Sequence, residues 1–323
     1  MIRVIGFGAW GGALSIHLAH YGIRDIIAWE YLERTRRAIE TTGVHPALAG
    51  QGRCPKSIRV TGEIEALRIG PRNLLILAVA GDFFSSTLER IKFQPRPLAF
   101  LILSKGLDPK TLLPLSQNAR RILGLSKNDI FALSGPTIAK ELLQGSPTLA
   151  VLAGPANAKR RQIQKILSRG NLRIQTSEDI IGVQIGGAMK NIYGLGYGIL
   201  EGLGAPANAR AIFLCRAMDE ITRMSERLGG QKETAWGPAG LGDLLTTSLS
   251  PNSRNSGLGR ILAKGCSLEE GRRRIGMVTE GVEACRQFNR LAAKQKIRLP
   301  LLHQIQTILN TPSKSRELLL RLK

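Results

Sequence analysis

The stretch Ile2-Arg3-Val4-Ile5-Gly6-Phe7-Gly8-Ala9-Trp10-Gly11-Gly12 decides the fold. Ile2–Gly6 reads as a short apolar strand, and Trp10–His20 as a helix that Gly22 stops. Between them lies a G-x-G-x-x-G spacing. Gly6 permits a tight turn, Gly8 lets the backbone approach a pyrophosphate, and Gly11 lets the helix pack close to the sheet. A diphosphate would rest on the helix N-terminus, where unpaired N–H groups and the helix dipole favour an anion. The spacing alone is a weak signal, and a tight turn in a nucleotide-free fold has the same residues. Here a strand precedes it, a helix follows, and a second strand ends at Glu30, nineteen residues past Gly11. That context favours a dinucleotide-binding βαβ unit. Arg3 and the apolar residues after it also have the outline of a signal peptide. Glycines at 6, 8, 11 and 12 break its apolar region, so the stretch is read as mature protein.

Working outward, short apolar runs alternate with helix-length stretches. The candidate strands are Ile2–Gly6, Ile26–Trp29, Ile58–Thr61, Asn73–Val79, Leu98–Leu103, Ile130–Leu133, Thr148–Ala153 and Leu172–Gln175. Several are apolar throughout, as strands covered on both faces must be. A helix is expected over Phe83–Ile91 with Asp82 as its N-cap. The alternation predicts a doubly wound, largely parallel, Rossmann-like sheet domain over residues 1–179. After Asp179 helical periodicity takes over. Leu214, Met218, Ile221, Met224 and Leu228 recur at spacings of 4, 3, 3 and 4, and Gly229-Gly230 then ends the helix. The fold class is therefore α/β, with the sheet domain followed by an all-α domain over residues 180–323.

At 323 residues the chain has room for two such domains. Hydrophobic residues make up 43% and glycines number 36, which excludes a disordered, charge-extended chain. No apolar run reaches the ~18 residues of a membrane span. Cys54, Cys215, Cys266 and Cys285 stand far apart and the four histidines show no ligand spacing, so no metal is assigned and a reducing, cytoplasmic setting is expected. The balance of 46 Lys+Arg against 24 Asp+Glu gives +22, with twelve Lys/Arg against three Glu in residues 271–323. Such a surplus suits a phosphorylated substrate, an anionic membrane surface or simply a solvated basic face. With three Trp, four Tyr and eight Phe and no basic-aromatic interleaving, no specific nucleic-acid partner is expected.

Six further places offer chemistry, some with a plainer reading beside them. Glu30 suits an adenosine ribose and so NAD(H). Arg34, Arg36 and Arg37, one turn on, suit a 2′-phosphate or form a solvated helix face. The cofactor is read as NAD(P)H with the preference open. Ser104-Lys105-Gly106 and Leu133-Ser134-Gly135-Pro136-Thr137 follow apolar strands, at the carboxyl ends where open α/β sheets bind ligands. Lys105 there either meets an anion or is an ordinary surface lysine. The helical half holds Gly182-Val183-Gln184-Ile185-Gly186-Gly187-Ala188-Met189-Lys190-Asn191. Small residues allow close backbone approach, and a desolvated ammonium beside a second cation, such as Lys105, suits general acid/base work. A snorkelling surface lysine is the alternative. Gly237-Pro238-Ala239-Gly240-Leu241-Gly242-Asp243 delivers one carboxylate from a turn. Ser253-Arg254-Asn255 opens a helix, with Ser253 as N-cap and an arginine fork suited to a phosphate dianion.

Together these motifs resemble the bacterial type of NAD(P)-dependent glycerol-3-phosphate dehydrogenase, over nearly the whole chain. The most specific stretches are SGPTIAKE (134–141), GVQIGGAMKN (182–191), AGLGDLLTTS (239–248) and SRN (253–255). The resemblance implies hydride transfer between dihydroxyacetone phosphate and sn-glycerol 3-phosphate, feeding phospholipid synthesis. It implies Lys190 as proton acceptor or donor at the C2 oxygen, with Lys105 and Asp243 beside the chemistry. Substrate contacts fall on Lys105, Gly135, Thr137, Lys190, Asp243, Ser253, Arg254 and Asn255. Cofactor contacts fall on Gly6, Gly8, Ala9, Trp10, Gly11, Glu30, Tyr31, Lys105, Ala139, Arg254, Val278 and Glu280.

The chain departs from the family in places. Ala9 stands where Ser is frequent. Glu30 and Tyr31 replace a small and a basic residue, which leans the cofactor to NADH. Ala80-Gly81 replaces Pro-Ser, loosening that turn, and Gly43-Val44-His45-Pro46 rewrites a loop that usually holds Asn and Tyr. A homodimer and peripheral contact with anionic membrane are the further partners expected. The alternatives are another two-domain dehydrogenase of 3-hydroxy acids and a non-catalytic dinucleotide-binding sensor.

Overall fold

A computed structural model describes residues 1–91, 96–276 and 279–320. Eight strands form one sheet: β1 (Ile2–Ile5), β2 (Ile26–Trp29), β3 (Ile58–Thr61), β4 (Leu74–Leu77), β5 (Ala99–Ile102), β6 (Ile130–Ser134), β7 (Thr148–Ala153) and β8 (Leu172–Ser177). All eight lie where the apolar runs put them. Their order is β3-β2-β1-β4-β5-β6-β7-β8, and every pairing is parallel except β6 with β7. The reversal turns β7 and β8 against the rest, so the sheet is mixed. β1, β2, β4, β5 and β6 share one carboxyl edge, with Ile5 in register with Trp29 and Leu77, and Leu77 with Ile102.

The first unit interleaves helices α1 (Ala9–His20), α2 (Glu33–Thr42), α3 (Phe84–Glu89), α4 (Leu115–Leu123), α5 (Ala139–Leu143) and α6 (Ala158–Leu167). Successive side chains of a strand face opposite ways, and here both faces are covered. Ile2, Val4, Leu74, Ile76, Ala99 and Leu101 join Leu14, Leu18, Leu142, Ile163 and Leu167 on one face. Ile5, Leu75, Leu77, Phe100 and Ile102 join Phe84, Leu88, Leu115 and Ala119 on the other. At about 2 kcal/mol for each fully buried large side chain, these two layers outweigh any local preference. Asp82 does not cap α3: it lies inside a 3-10 turn, Gly81–Phe83, and the capping position falls to Phe83 with no side-chain bond.

The second unit is helical, with α7 (Ile180–Gly202), α8 (Ala207–Arg227), α9 (Lys232–Trp236), α10 (Asp243–Leu249), α11 (Arg254–Leu262), α12 (Leu268–Ile275), α13 (Glu280–Gln295), α14 (Pro300–Asn310) and α15 (Glu317–Leu320). The chain divides into Met1–Asp108 with Leu115–Ile180, and Ile181–Lys323 with the short stretch Pro109–Pro114. That stretch sits within residues the sequence assigns to the first domain, and Arg290 Nη1 holds its Pro109 carbonyl at 3.1 Å. The α8 stripe is buried at Met218, Ile221 and Met224. Between these apolar residues lies a buried carboxylate, Glu220. It accepts from Leu301 N at 2.7 Å, Leu302 N at 3.0 Å and Tyr193 Oη at 2.8 Å. It thereby satisfies first-turn donors of α14, which has no side-chain cap of its own. Burial is the main influence on Glu220 and raises its pKa from the ordinary carboxylate value.

Candidate active site

The glycine-rich loop leaves β1 at the carboxyl edge and enters α1. Gly6 has φ +98° and a Cβ there would lie 2.6 Å from the Ala78 carbonyl carbon, so only glycine lets β1 close against β4. A Cβ on Gly11 would overlap the Gly6 carbonyl oxygen, while one on Gly8 would meet nothing within 4 Å. The space beside Gly8 is therefore open. The N-terminus of α1 is capped by no side chain, so the N–H groups of its first turn keep their donor capacity. An open, side-chain-free loop under unpaired donors fits a dinucleotide diphosphate.

At the β2 end Glu30 is buried at 6% exposure, and its Oε1 accepts from Leu32 N at 2.8 Å. Tyr31 beside it is exposed, with its ring 6.2 Å from that of Trp29. The three nearby arginines behave differently. Arg36 donates to the carbonyls of Glu30 at 2.7 Å and Tyr31 at 2.8 Å, and Arg37 pairs with Glu33 on the surface. Arg34 stands exposed.

Lys105 follows β5 and is half-buried; Ser104 before it donates to the Val79 carbonyl at 2.6 Å. The Ala80-Gly81 turn is closely seated, for a Cβ on Gly81 would overlap the Lys105 carbonyl oxygen. The glycine there admits close packing, where the sequence reading expected a loosened turn. Gly135 follows β6 at φ +149°, Thr137 Oγ1 donates back to the Gly135 carbonyl at 3.1 Å, and Ala139 opens α5. The candidate residues of the first unit thus follow β1, β2, β5 and β6 along one edge of the sheet.

In the helical unit the small residues of α7 let neighbouring elements approach its backbone. A Cβ on Gly186 would lie 2.9 Å from the Ala239 carbonyl oxygen, and one on Gly194 would lie 2.6 Å from Thr247 Cγ2. Gly186, Lys190 and Gly194 are four apart and share a face. Lys190 therefore projects from α7 straight onto the start of α10. Its Nζ donates to Asp243 Oδ1 at 2.7 Å and Thr247 Oγ1 at 2.6 Å. The side chains of Lys190 and Asp243 are 13% and 2% exposed. This carboxylate is a charged partner of Lys190 within the helical unit. A π-helical turn, Pro238–Gly242, delivers it.

Next along α7, Asn191 Nδ2 donates to Glu280 Oε2 at 3.0 Å, and Asn191 Oδ1 accepts from Asn255 Nδ2 at 3.0 Å. Asn255 Oδ1 accepts from Gly281 N at 3.1 Å. Ser253 caps α11, accepting from Ser256 N at 3.3 Å, and Arg254 is the first, exposed residue of that helix. The amide-to-amide bond ties the segment carrying Lys190 to the one carrying Arg254. Val278 lies outside the described residues. Thr247 and Asn191 are the participants that the sequence reading did not assign a role. Their signals were present: Thr247 lies four residues after Asp243 on one helix, and Asn191 adjoins Lys190.

A doubly wound sheet with a glycine loop on its first strand, followed by an all-helical unit carrying a buried lysine–carboxylate pair, defines the class of two-domain, dinucleotide-dependent dehydrogenases. Within that class the chain belongs to the NAD-dependent glycerol-3-phosphate dehydrogenase family. The family's N-terminal model matches residues 1–160 and its C-terminal model residues 179–319. A glycerol-3-phosphate dehydrogenase (NAD(P)+) of Salinibacter ruber is 33% identical over 323 residues, covering 99% of this chain and 94% of the relative. One from Moorella thermoacetica is 35% identical over 309 residues, covering 95% and 91%. The crystal structure of glycerol-3-phosphate dehydrogenase from Coxiella burnetii superposes with a TM-score of 0.90 at 29% identity, covering 99% and 98%.

Proposed function

We propose that this chain interconverts dihydroxyacetone phosphate and sn-glycerol 3-phosphate with NAD(P)H, supplying glycerol 3-phosphate for phospholipid synthesis. The observation that carries the reading is the Lys190–Asp243–Thr247 cluster, in a chain whose two halves both match the family. When bound, the reduced nicotinamide supplies the hydride that reaches C2 of the ketone. Lys190 gives a proton to the oxygen at C2 in that direction and takes it back in the other. Asp243 and Thr247 hold two of its N–H bonds, so the ammonium is aimed before substrate arrives. Its charge stabilises the negative charge that grows on the oxygen. The N-terminus of α11, with Arg254 and Asn255, suits the phosphate dianion, as does Lys105. Gly135 and Thr137 line the substrate side of the first unit. The glycine loop with Ala9 and Trp10 takes the diphosphate, Glu30 and Tyr31 the adenosine end, and Ala139 and Glu280 the remaining cofactor contacts.

The decisive experiment gives purified protein NADH or NADPH with dihydroxyacetone phosphate and follows absorbance. Oxidation of either cofactor is expected, with Lys190→Ala folded but without activity. Ordinary turnover by Lys190→Ala refutes the role of Lys190, and turnover of a 3-hydroxy acid in place of the triose refutes the substrate. Glu30 and Tyr31 support faster turnover with NADH. The four free cysteines support a reducing, cytoplasmic setting. The +22 charge supports peripheral contact with anionic headgroups, which co-sedimentation with phosphatidylserine vesicles tests. A homodimer is part of the same reading, and light scattering tests it.

A further inference from the structure

His45 lies in the rewritten loop after α2, 38 residues from the glycine loop in sequence, and is 3% exposed. Its Nδ1 faces Ala47 N at 3.1 Å and its Nε2 faces the Phe7 carbonyl oxygen at 2.6 Å. A backbone N–H can only donate and a carbonyl can only accept, so Nδ1 is bare and Nε2 carries the proton. The ring therefore does two jobs with one tautomer. Nδ1 caps the 3-10 turn Pro46–Leu48, and Nε2–H pins the carbonyl between the first two glycines of the G-x-G-x-x-G loop. Its centroid is 5.5 Å from that of the fully buried Phe7, and a Cβ on Gly12 would lie 3.0 Å from its Cδ2.

We propose that His45 is a positioning residue for dinucleotide binding, acting through the Phe7 carbonyl. The inference rests on the dinucleotide reading of the loop. The physical link is the planar peptide between Phe7 and Gly8. In a trans peptide the C=O and the following N–H point in opposite directions. Holding the Phe7 carbonyl on the buried imidazole aims the Gly8 N–H away from that ring. Gly8 has no side chain to restrain it, and its own carbonyl is held from the helix side, by Gly12 N at 2.8 Å. His45 supplies the restraint from outside the loop, so the donor is oriented before the ligand binds and less freedom is lost on binding.

Two substitutions separate the jobs. Gln places a donor nitrogen where Nε2 stands, keeping the bond to Phe7 and losing the bond to Ala47. Asn places an acceptor oxygen where Nδ1 stands, keeping the turn and losing the loop. The dissociation constants of NADH and NADPH are measured by fluorescence titration of the full chain, with thermal unfolding without ligand alongside. For the cofactor the wild type prefers, His45→Asn is expected to weaken binding about tenfold and His45→Gln to stay within about threefold of wild type, one hydrogen bond being worth roughly that factor. The inference is overturned if both variants bind like wild type, if both weaken alike, or if Gln is the weaker. Should His45→Asn not fold, His45→Gln decides alone: retained affinity supports the assignment and lost affinity ends it. Wild-type protein that binds neither dinucleotide refutes the underlying reading of the loop, which is a different failure.

Discussion

Removing one partner of the Lys190–Asp243 pair is expected to cost far more than removing both. The two charged groups sit 2.7 Å apart with 13% and 2% of their side chains exposed, so water screens the pair only weakly. Breaking a buried pair by deleting one member typically costs about 3–5 kcal/mol, because the other charge stays buried without compensation. Replacing both by apolar groups of similar size is close to neutral. Lys190→Met and Asp243→Leu are each expected to lose about 3 kcal/mol, and the double variant less than about 1.5 kcal/mol, a coupling of about 4 kcal/mol or more. Thr247 softens the Asp243 deletion, since its hydroxyl still receives the ammonium at 2.6 Å. The assay is urea unfolding followed by Trp236 in the helical unit, with Trp10 and Trp29 replaced by Phe so that it is the only tryptophan. A double variant as unstable as the sum of the singles, within about 0.5 kcal/mol, would show that the charges do not depend on one another and would refute the argument.

Three other outcomes are expected. Gly198→Ala puts a methyl against the Ser256 backbone where α7 meets α11, so the urea midpoint should fall by an amount worth about 2–3 kcal/mol; an unchanged midpoint would mean the helices can move apart freely. Glu220→Leu strands Tyr193 Oη and the N–H groups of Leu301 and Leu302, and should cost about 3 kcal/mol in calorimetry, with Glu220→Gln intermediate. Burial lowers the pKa of His17 from 6.5, so the folded chain binds its proton less readily than the unfolded chain. That contribution is fully present above about 6.5 and is lost as pH falls towards the folded value. His17→Gln, which keeps a donor for the Arg169 carbonyl at 2.9 Å, should flatten the fall in melting temperature between pH 7 and 5.

The strands and the glycine loop were legible because their causes are local. An apolar run buried on both faces needs no partner to be recognised, and G-x-G-x-x-G reports its own backbone geometry. The direction of β7 was not legible: Thr148–Ala153 is nearly as buried as β4 and β5, which run the other way, and burial says nothing of polarity. Asp82 failed as a cap because a 3-10 turn takes up the residues before α3. In the candidate site, Lys190 and Asp243 were found as motif members. Thr247, Asn191 and His45 matter through contacts made across 38 or more residues, which spacing cannot reveal.

Helix α7 runs for 23 residues and seven of them are glycine. At roughly 1 kcal/mol each relative to alanine, these disfavour the isolated helix by about 7 kcal/mol, so cut out as a peptide it should be largely coil in water. Its backbone amides owe their protection to α10, α11 and α8 rather than to their own segment. Hydrogen exchange along α7 should then be slow and nearly uniform, governed by one concerted opening of the surrounding helices, with little fraying towards its middle. Lys190 would stay in place or be lost together with that whole assembly.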